Sequence, residues 1–158
     1  MLDIVERAAR CFTEGYNCCQ AVLLGFCGPL GLGEELAARL GTGFGLGMAR
    51  GGTCGAVSGA VLVLGLCGGG GGSGGAAAKA ATYARVRYFY DRFIERHGAL
   101  VCRDLLGLDP TTPQGLEQAV REDRFHRVCL PLVRDVASLA RDIAVEAGLC
   151  PACDRTAP

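Results

Sequence analysis

The chain has 158 residues, which fits one domain, or one domain with a tail, and excludes two full enzyme domains. Its 16 Lys and Arg balance 16 Asp and Glu, so there is no phosphate-neutralising footprint and nucleic acid is excluded as a partner. An apolar fraction of 50% excludes a disordered chain, and 25 glycines imply backbones that approach closely.

Near the N-terminus Leu2, Val5, Ala9 and Phe12 fall at helical spacing, and Gly15 stands where a C-terminal cap belongs. Asn17 is placed to cap a second helix through Cys18, Cys19, Gln20 and Leu24, with Cys18 in its first turn and Gly28-Pro29 as its terminator. Gly33-Glu34-Glu35 opens a short third helix, its carboxylates at the positive end. Glycine then recurs at 41, 43, 45, 47, 51 and 52, a density that argues against a regular element. Thr53 is placed to cap a helix beginning at Cys54, in which Gly55, Ala56, Gly59 and Ala60 let a neighbouring helix come close. The apolar run 55–67 is shorter than the ~20 residues a bilayer requires, so it reads as a core helix and not a membrane span.

The tract 68–75 reads as a flexible, low-complexity loop between two halves. A long helix follows over 76–96, with Ala80, Tyr83, Val86, Tyr90, Phe93 and Ile94 as its apolar stripe and Gly98 at its end. The segment 100–106 carries Cys102, and Asp109-Pro110-Thr111-Thr112-Pro113 is a turn that starts a small helix. The last helix runs from about Phe125 to Ala147 and buries Cys129, Leu132, Val133, Val136, Leu139 and Ile143, with Pro131 starting it late or kinking it. No strand alternation and no long-period repeat occurs. The expectation is all-α: a compact single-domain bundle of about five to seven helices with a glycine-rich central loop, the helical domain over 1–148 and a tail over 149–158.

Ten cysteines are the loudest compositional signal. The N-terminal Met-Leu-Asp-Ile-Val-Glu-Arg has no basic stretch before an apolar one, so a cytoplasmic location is expected, where cysteines point to metal ligands or reactive thiols more than to a disulfide framework. A thiol at a helix start is favoured as thiolate by unpaired amides, which makes Cys54 the first candidate and Cys18 the second; the competing reading is a buried, inert thiol. His126 and Cys129 sit three apart, a spacing suited to a ligand pair or to a thiol with its base, although a partly exposed histidine explains it as well. His97 at a helix C-terminus is read as a favourable charge there. Cys150-Pro151-Ala152-Cys153 has the spacing of a redox disulfide or of half a zinc site, and equally of a frayed tail. Gly69-x-Gly71-x-x-Gly74 matches the dinucleotide fingerprint only in form, because no βαβ unit surrounds it, and no phosphate-loop lysine follows.

The run Cys54-Gly55-Ala56-Val57-Ser58-Gly59 resembles the family of redox-active proteins named for a CGAxxG motif and four cysteines (the C_GCAxxG_C_C family). Around it, Gly15 to Val22, Gly43 to Gly47, Gly98 to Gly107 and His126 to Cys129 are similar to the family's other segments, over about residues 3–146. The resemblance implies a small helical protein with Cys18, Cys54, Cys102 and Cys129 as its functional set, with Cys19 as a competitor of Cys18. Two chemistries are implied. In one, the thiols oxidise reversibly, with Cys54 as attacking thiolate, Cys18 as its resolving partner and Cys102 with Cys129 as a second pair, acting on a redox partner or small molecule as a thiol-disulfide oxidoreductase. In the other, the same four cysteines bind zinc or an iron-sulfur cluster without enzymatic activity. A third reading is a helical interaction module with packing cysteines, and an oligomer stays open. Helix polarity further predicts that Cys54 reacts faster than Cys67 at the other end of the same helix.

Overall fold

Helix formation here follows local signals that the computed structural model, which describes residues 3–70 and 75–153, renders in detail. Helix α1 (Ile4–Thr13) buries Ile4, Ala8, Ala9 and Cys11 and ends at Glu14, just before Gly15. Helix α2 (Cys18–Leu30) starts with a full capping box: the Asn17 side chain accepts from the Gln20 N–H, and the Gln20 side chain accepts from the Asn17 N–H, each at 3.0 Å. Pro29 does not stop α2 where the sequence places the stop; it occupies the last turn, and Gly31 in the left-handed region closes the helix. Helix α3 (Glu34–Gly41) follows with Gly33 as its N-cap.

The glycine-dense stretch is a 3-10 turn at Thr42–Phe44 and then a left-handed turn, with Leu46 (φ 52°), Gly47 (φ 62°), Met48 (φ 58°) and Ala49 (φ 56°) in succession. Thr53 does not cap the next helix. It pairs with Val101 in an isolated antiparallel bridge, and Cys54 itself is the N-cap of helix α4 (Gly55–Gly68). Of the expected linker over 68–75, residues 71–74 lie outside the described residues, as do tail residues 154–158. Gly68 closes α4 and Gly75 opens helix α5 (Gly75–His97).

Helix α5 buries only Phe89 and Phe93, flanked by half-buried Val86 and Tyr90; Tyr83 and Ile94, expected in its stripe, are exposed. Helix α6 (Cys102–Leu106) forms its own short element, so the described residues contain eight α-helices. Helix α7 (Pro113–Arg121) is capped by Thr112. A π-helical turn (Phe125–Cys129) leads into helix α8 (Leu130–Glu146) with Pro131 in its first turn, so the proline starts the regular helix late, as the sequence allows.

One core unites α1, α2, α4 and α8, with Phe26, Phe89 and Phe93 fully buried, each worth ~1.5–3 kcal/mol on removal from water. The small residues of α4 set its closest packing: a Cβ at Gly59 would lie 3.0 Å from Val22 Cβ and 3.2 Å from the Cys19 carbonyl oxygen. This approach aligns α2 and α4 so that Cys18 lies beside Gly55, bringing both helix starts to one end of the bundle. Among the described residues no helix is long and apolar enough to cross a membrane.

Candidate functional site

Four chain segments deliver a cysteine to that end, and each arrives at the start of a helix. Cys18 is the first residue of α2, Cys54 the N-cap of α4, Cys102 the first residue of α6 and Cys129 the residue before α8. All four line one cavity of about 20 Å³, walled by Leu46, Leu105, Leu106, Phe125 and Leu132. Two backbone hydrogen bonds hold Cys54 and Cys102 in place across the Thr53–Val101 bridge. The Cys54 N–H donates to the Leu100 carbonyl at 2.8 Å, and the Cys102 N–H donates to the Gly52 carbonyl at 2.6 Å.

The glycine-dense loop forms the outer wall, and the α2 cap fastens it. The Asn17 amide donates to the carbonyls of Gly41 and Thr42 at 3.2 and 3.0 Å, while the Gln20 amide donates to the Ala38 carbonyl at 2.9 Å. Thus the residues that begin the helix carrying Cys18 also hold the loop carrying Leu46. Left-handed backbone costs ~1–2 kcal/mol for each non-glycine residue, so Leu46, Met48 and Ala49 place strain beside the thiols, where tertiary contacts must offset it. Gly47 has no substitute, because a Cβ there would lie 2.8 Å from Cys102 Cβ and 2.5 Å from the Gly52 carbonyl oxygen.

The thiols are electrostatically unequal. The Cys18 S–H donates to the Cys129 sulfur, and this hydrogen bond holds the Cys129 thiol below its ordinary range against an opposing effect of burial. Cys18, as the donor, is held well above. Burial pushes Cys54 up, partly offset by the N–H groups of Val57 and Ala56 that face its sulfur at the α4 start. Cys102 is pushed up to about 12 by burial and by the neighbouring Cys54 and Cys129. The helix-start advantage assigned to Cys54 is therefore present and is outweighed by desolvation.

The remaining candidates stand apart. Cys19 is fully buried in the main core, is pushed up to about 12 by burial first, and does not line the cavity. His126 is exposed and bonded through Nδ1 to Asp123 at 2.8 Å, and His97 is bonded through Nε2 to Asp135 at 2.8 Å. Cys150 and Cys153 are joined in a disulfide packed into the main core. The wall residues Leu46, Leu105, Leu106, Phe125 and Leu132 carry no sequence signal of their own; only the glycine density beside Leu46 hinted at an unusual backbone.

Four thiols are the donors that zinc or an iron-sulfur cluster takes. Among the described residues, however, no three or more His, Cys, Asp and Glu side chains are arranged to hold an ion, and a 20 Å³ space is that of one small group, not of a cluster. As they are arranged, the thiols do not present the geometry of a metal centre.

Neither a curated protein nor a solved structure matches the chain. Residues 16–143 match the family described as "Putative redox-active protein (C_GCAxxG_C_C)", a span that holds all four cavity cysteines and leaves out the Cys150–Cys153 disulfide. Where the family label writes GCAxxG, this chain has its first two residues in the order Cys54-Gly55. With most of its length matched and its cysteines in the family's order, the chain belongs to the C_GCAxxG_C_C family of redox-active proteins.

Proposed function

We propose that the chain performs reversible thiol–disulfide chemistry, with Cys129 as the reactive thiolate and Cys18 as its partner, and with Cys54 and Cys102 as a second thiol pair in the same cavity. The observation that carries this reading is that Cys18 and Cys129 line one small cavity, supported by the lowering of Cys129 and raising of Cys18 that their mutual contact produces. Oxidation removes the two thiol hydrogens as two protons and two electrons and joins the sulfurs; thiol–disulfide exchange with a dithiol reverses it. A reducing compartment such as the cytoplasm would return the pair to the dithiol. Cys129 takes the attacking role that helix polarity alone suggested for Cys54, because Cys54 has amide donors but no thiol donor.

The test is a thiol count on reduced protein before and after mild oxidation, with peptide mapping of the new bond. Beyond the two thiols of the Cys150–Cys153 bond, two should be lost to a Cys18–Cys129 disulfide and regained with dithiothreitol, and Cys129→Ser should abolish the latter bond alone. An unchanged count, or a bond that always involves other cysteines, refutes the assignment.

A further inference from the structure

The cavity also says what could oxidise the pair, an inference that rests on the reading of Cys18 and Cys129 as a dithiol. Its volume of about 20 Å³ accommodates one water-sized group, since a single water needs ~10–15 Å³ on the same measure. Its walls are aliphatic and aromatic, and among the described residues no Lys, Arg or His lines it. A peptide disulfide does not fit inside this space and meets only half-buried Cys18, the one lining thiol a dithiol can also reach, not buried Cys129. A carboxylate-bearing one such as oxidised glutathione also finds no cation among the described lining residues. The chain leading into the loop wall is fastened at Ala38, Gly41 and Thr42 by Asn17 and Gln20 at the α2 start.

We propose that the oxidant of this site is hydrogen peroxide, admitted by size and neutrality and reduced to water by Cys129 and Cys18. Cys129 thiolate attacks one peroxide oxygen; the S–O bond forms as the O–O bond breaks, leaving Cys129 as sulfenic acid and releasing hydroxide. The Cys18 proton passes to that hydroxide and makes the first water. The Cys18 thiolate then attacks the Cys129 sulfur, the S–S bond forms, and the departing hydroxide takes from solvent the proton Cys129 had given up, making the second water. Two thiols and one peroxide thus become one disulfide and two waters. Cys129, held below the ordinary thiol range by its Cys18 donor, ionises more readily than Cys18 and so supplies the nucleophile.

The experiment exposes the full reduced chain to hydrogen peroxide or to oxidised glutathione at neutral pH and follows the Cys18–Cys129 bond by peptide mass spectrometry. The ratio of the two rates is compared with that for free dithiothreitol. Peroxide should be favoured by at least about tenfold over the free-dithiol ratio. Leu46→Gly, which opens the loop wall and relieves a left-handed residue, should shrink that preference, and Phe125→Ala should do so at a second wall residue. Equal preference in protein and free dithiol, or a preference that neither wall variant changes, overturns the size filter while leaving the dithiol reading standing. If neither oxidant joins Cys18 to Cys129, both fall together.

Discussion

The two ends of helix α8 each carry buried sulfur, and they behave differently. At its start Cys129 and Cys102 are 6% and 8% exposed, and past its end Cys150 and Cys153 are 4% and 3% exposed. The 17 residues of α8 keep the two sulfur groups ~25 Å apart. Burial is nearly equal, so it does not decide the chemistry. At the start, four segments bring free thiols together, with a sulfur donor to Cys129 and amides facing Cys54. Past the end, the chain makes a 3-10 turn at Pro151–Cys153 that closes a disulfide between near neighbours against α2 and α8. Neighbouring donors ease ionisation at one end, whereas covalent closure takes both sulfurs out of titration at the other.

Alkali separates the two ends most strongly, because free thiols titrate and a disulfide does not. Cys102 and Cys19 are both pushed up to about 12, above the ordinary thiol range, so the unfolded chain loses those protons first. The stability they confer is full below the unfolded thiol pKa and is lost as pH rises from about 9 towards 12, with a limiting slope of ~1.4 kcal/mol per pH unit for each such group. Cys129, held low, has the opposite sign: its contribution is full above the ordinary thiol pKa and is lost as pH falls through its folded value. Urea unfolding at a series of pH values under reducing conditions should therefore show a net loss of several kcal/mol across the alkaline window, on the order of two such groups over two to three units. A flat profile over that window would mean that the thiols are far more solvated than their packing implies.

Next in size is Gly47→Ala, which strikes the thiol end alone. Its φ of 62° disfavours any side chain, and the new Cβ would press on the Gly52 carbonyl and on Cys102 Cβ. A loss of ~2–4 kcal/mol in denaturant unfolding is expected, from overpacking plus backbone strain. The far end should be spared, with the Cys150–Cys153 bond still closed in the folded variant. A loss under ~0.5 kcal/mol would show that the left-handed turn rearranges cheaply and does not brace the cavity.

How much of this was legible in the sequence depends on whether the signal is local. Helical period and caps are local, so α1, α3, α4 and the Asn17 cap of α2 could be read directly, and so could a close helix approach at Gly59, though not that α2 makes it. The four cysteines were legible as an ordered set around Cys54-Gly55-Ala56. That Cys18 and Cys129 become neighbours was not, since they meet only through the packing of α2 beside α8. The left-handed turn at Leu46–Ala49 was hidden for the same reason: three of its residues disfavour that backbone, and long-range bonds from Asn17 and Gln20 hold the loop beside it. In α5 the expected stripe was right at Val86, Tyr90 and Phe93, but it missed Phe89 and took in Ala80, Tyr83 and Ile94, which are exposed because only the Phe89–Phe93 side reaches the core.

The smallest effect sets the two ends against each other along α4, where Cys54 stands at the thiol end and Cys67 at the end near Leu149, which neighbours Cys150 in the chain. Helix polarity favours Cys54 by ~0.3–1 kcal/mol, a factor of less than ten in thiolate population. Burial raises both thiols, but Cys54 is 5% exposed whereas Cys67 is half-buried, so a bulky alkylating agent meets Cys67 without first opening the structure. Opening even a marginal local unit costs on the order of 1 kcal/mol or more, enough to cancel the dipole. Access should therefore reverse the order that polarity alone predicts, with Cys67 labelled a few-fold faster in timed alkylation of reduced protein at neutral pH, read peptide by peptide. Raising the pH should speed both together, because the difference lies in access and not in ionisation. If Cys54 instead leads by tenfold, its sulfur is reachable in the folded state, the amides at the α4 start outweigh burial, and the attacking role returns from Cys129 to Cys54.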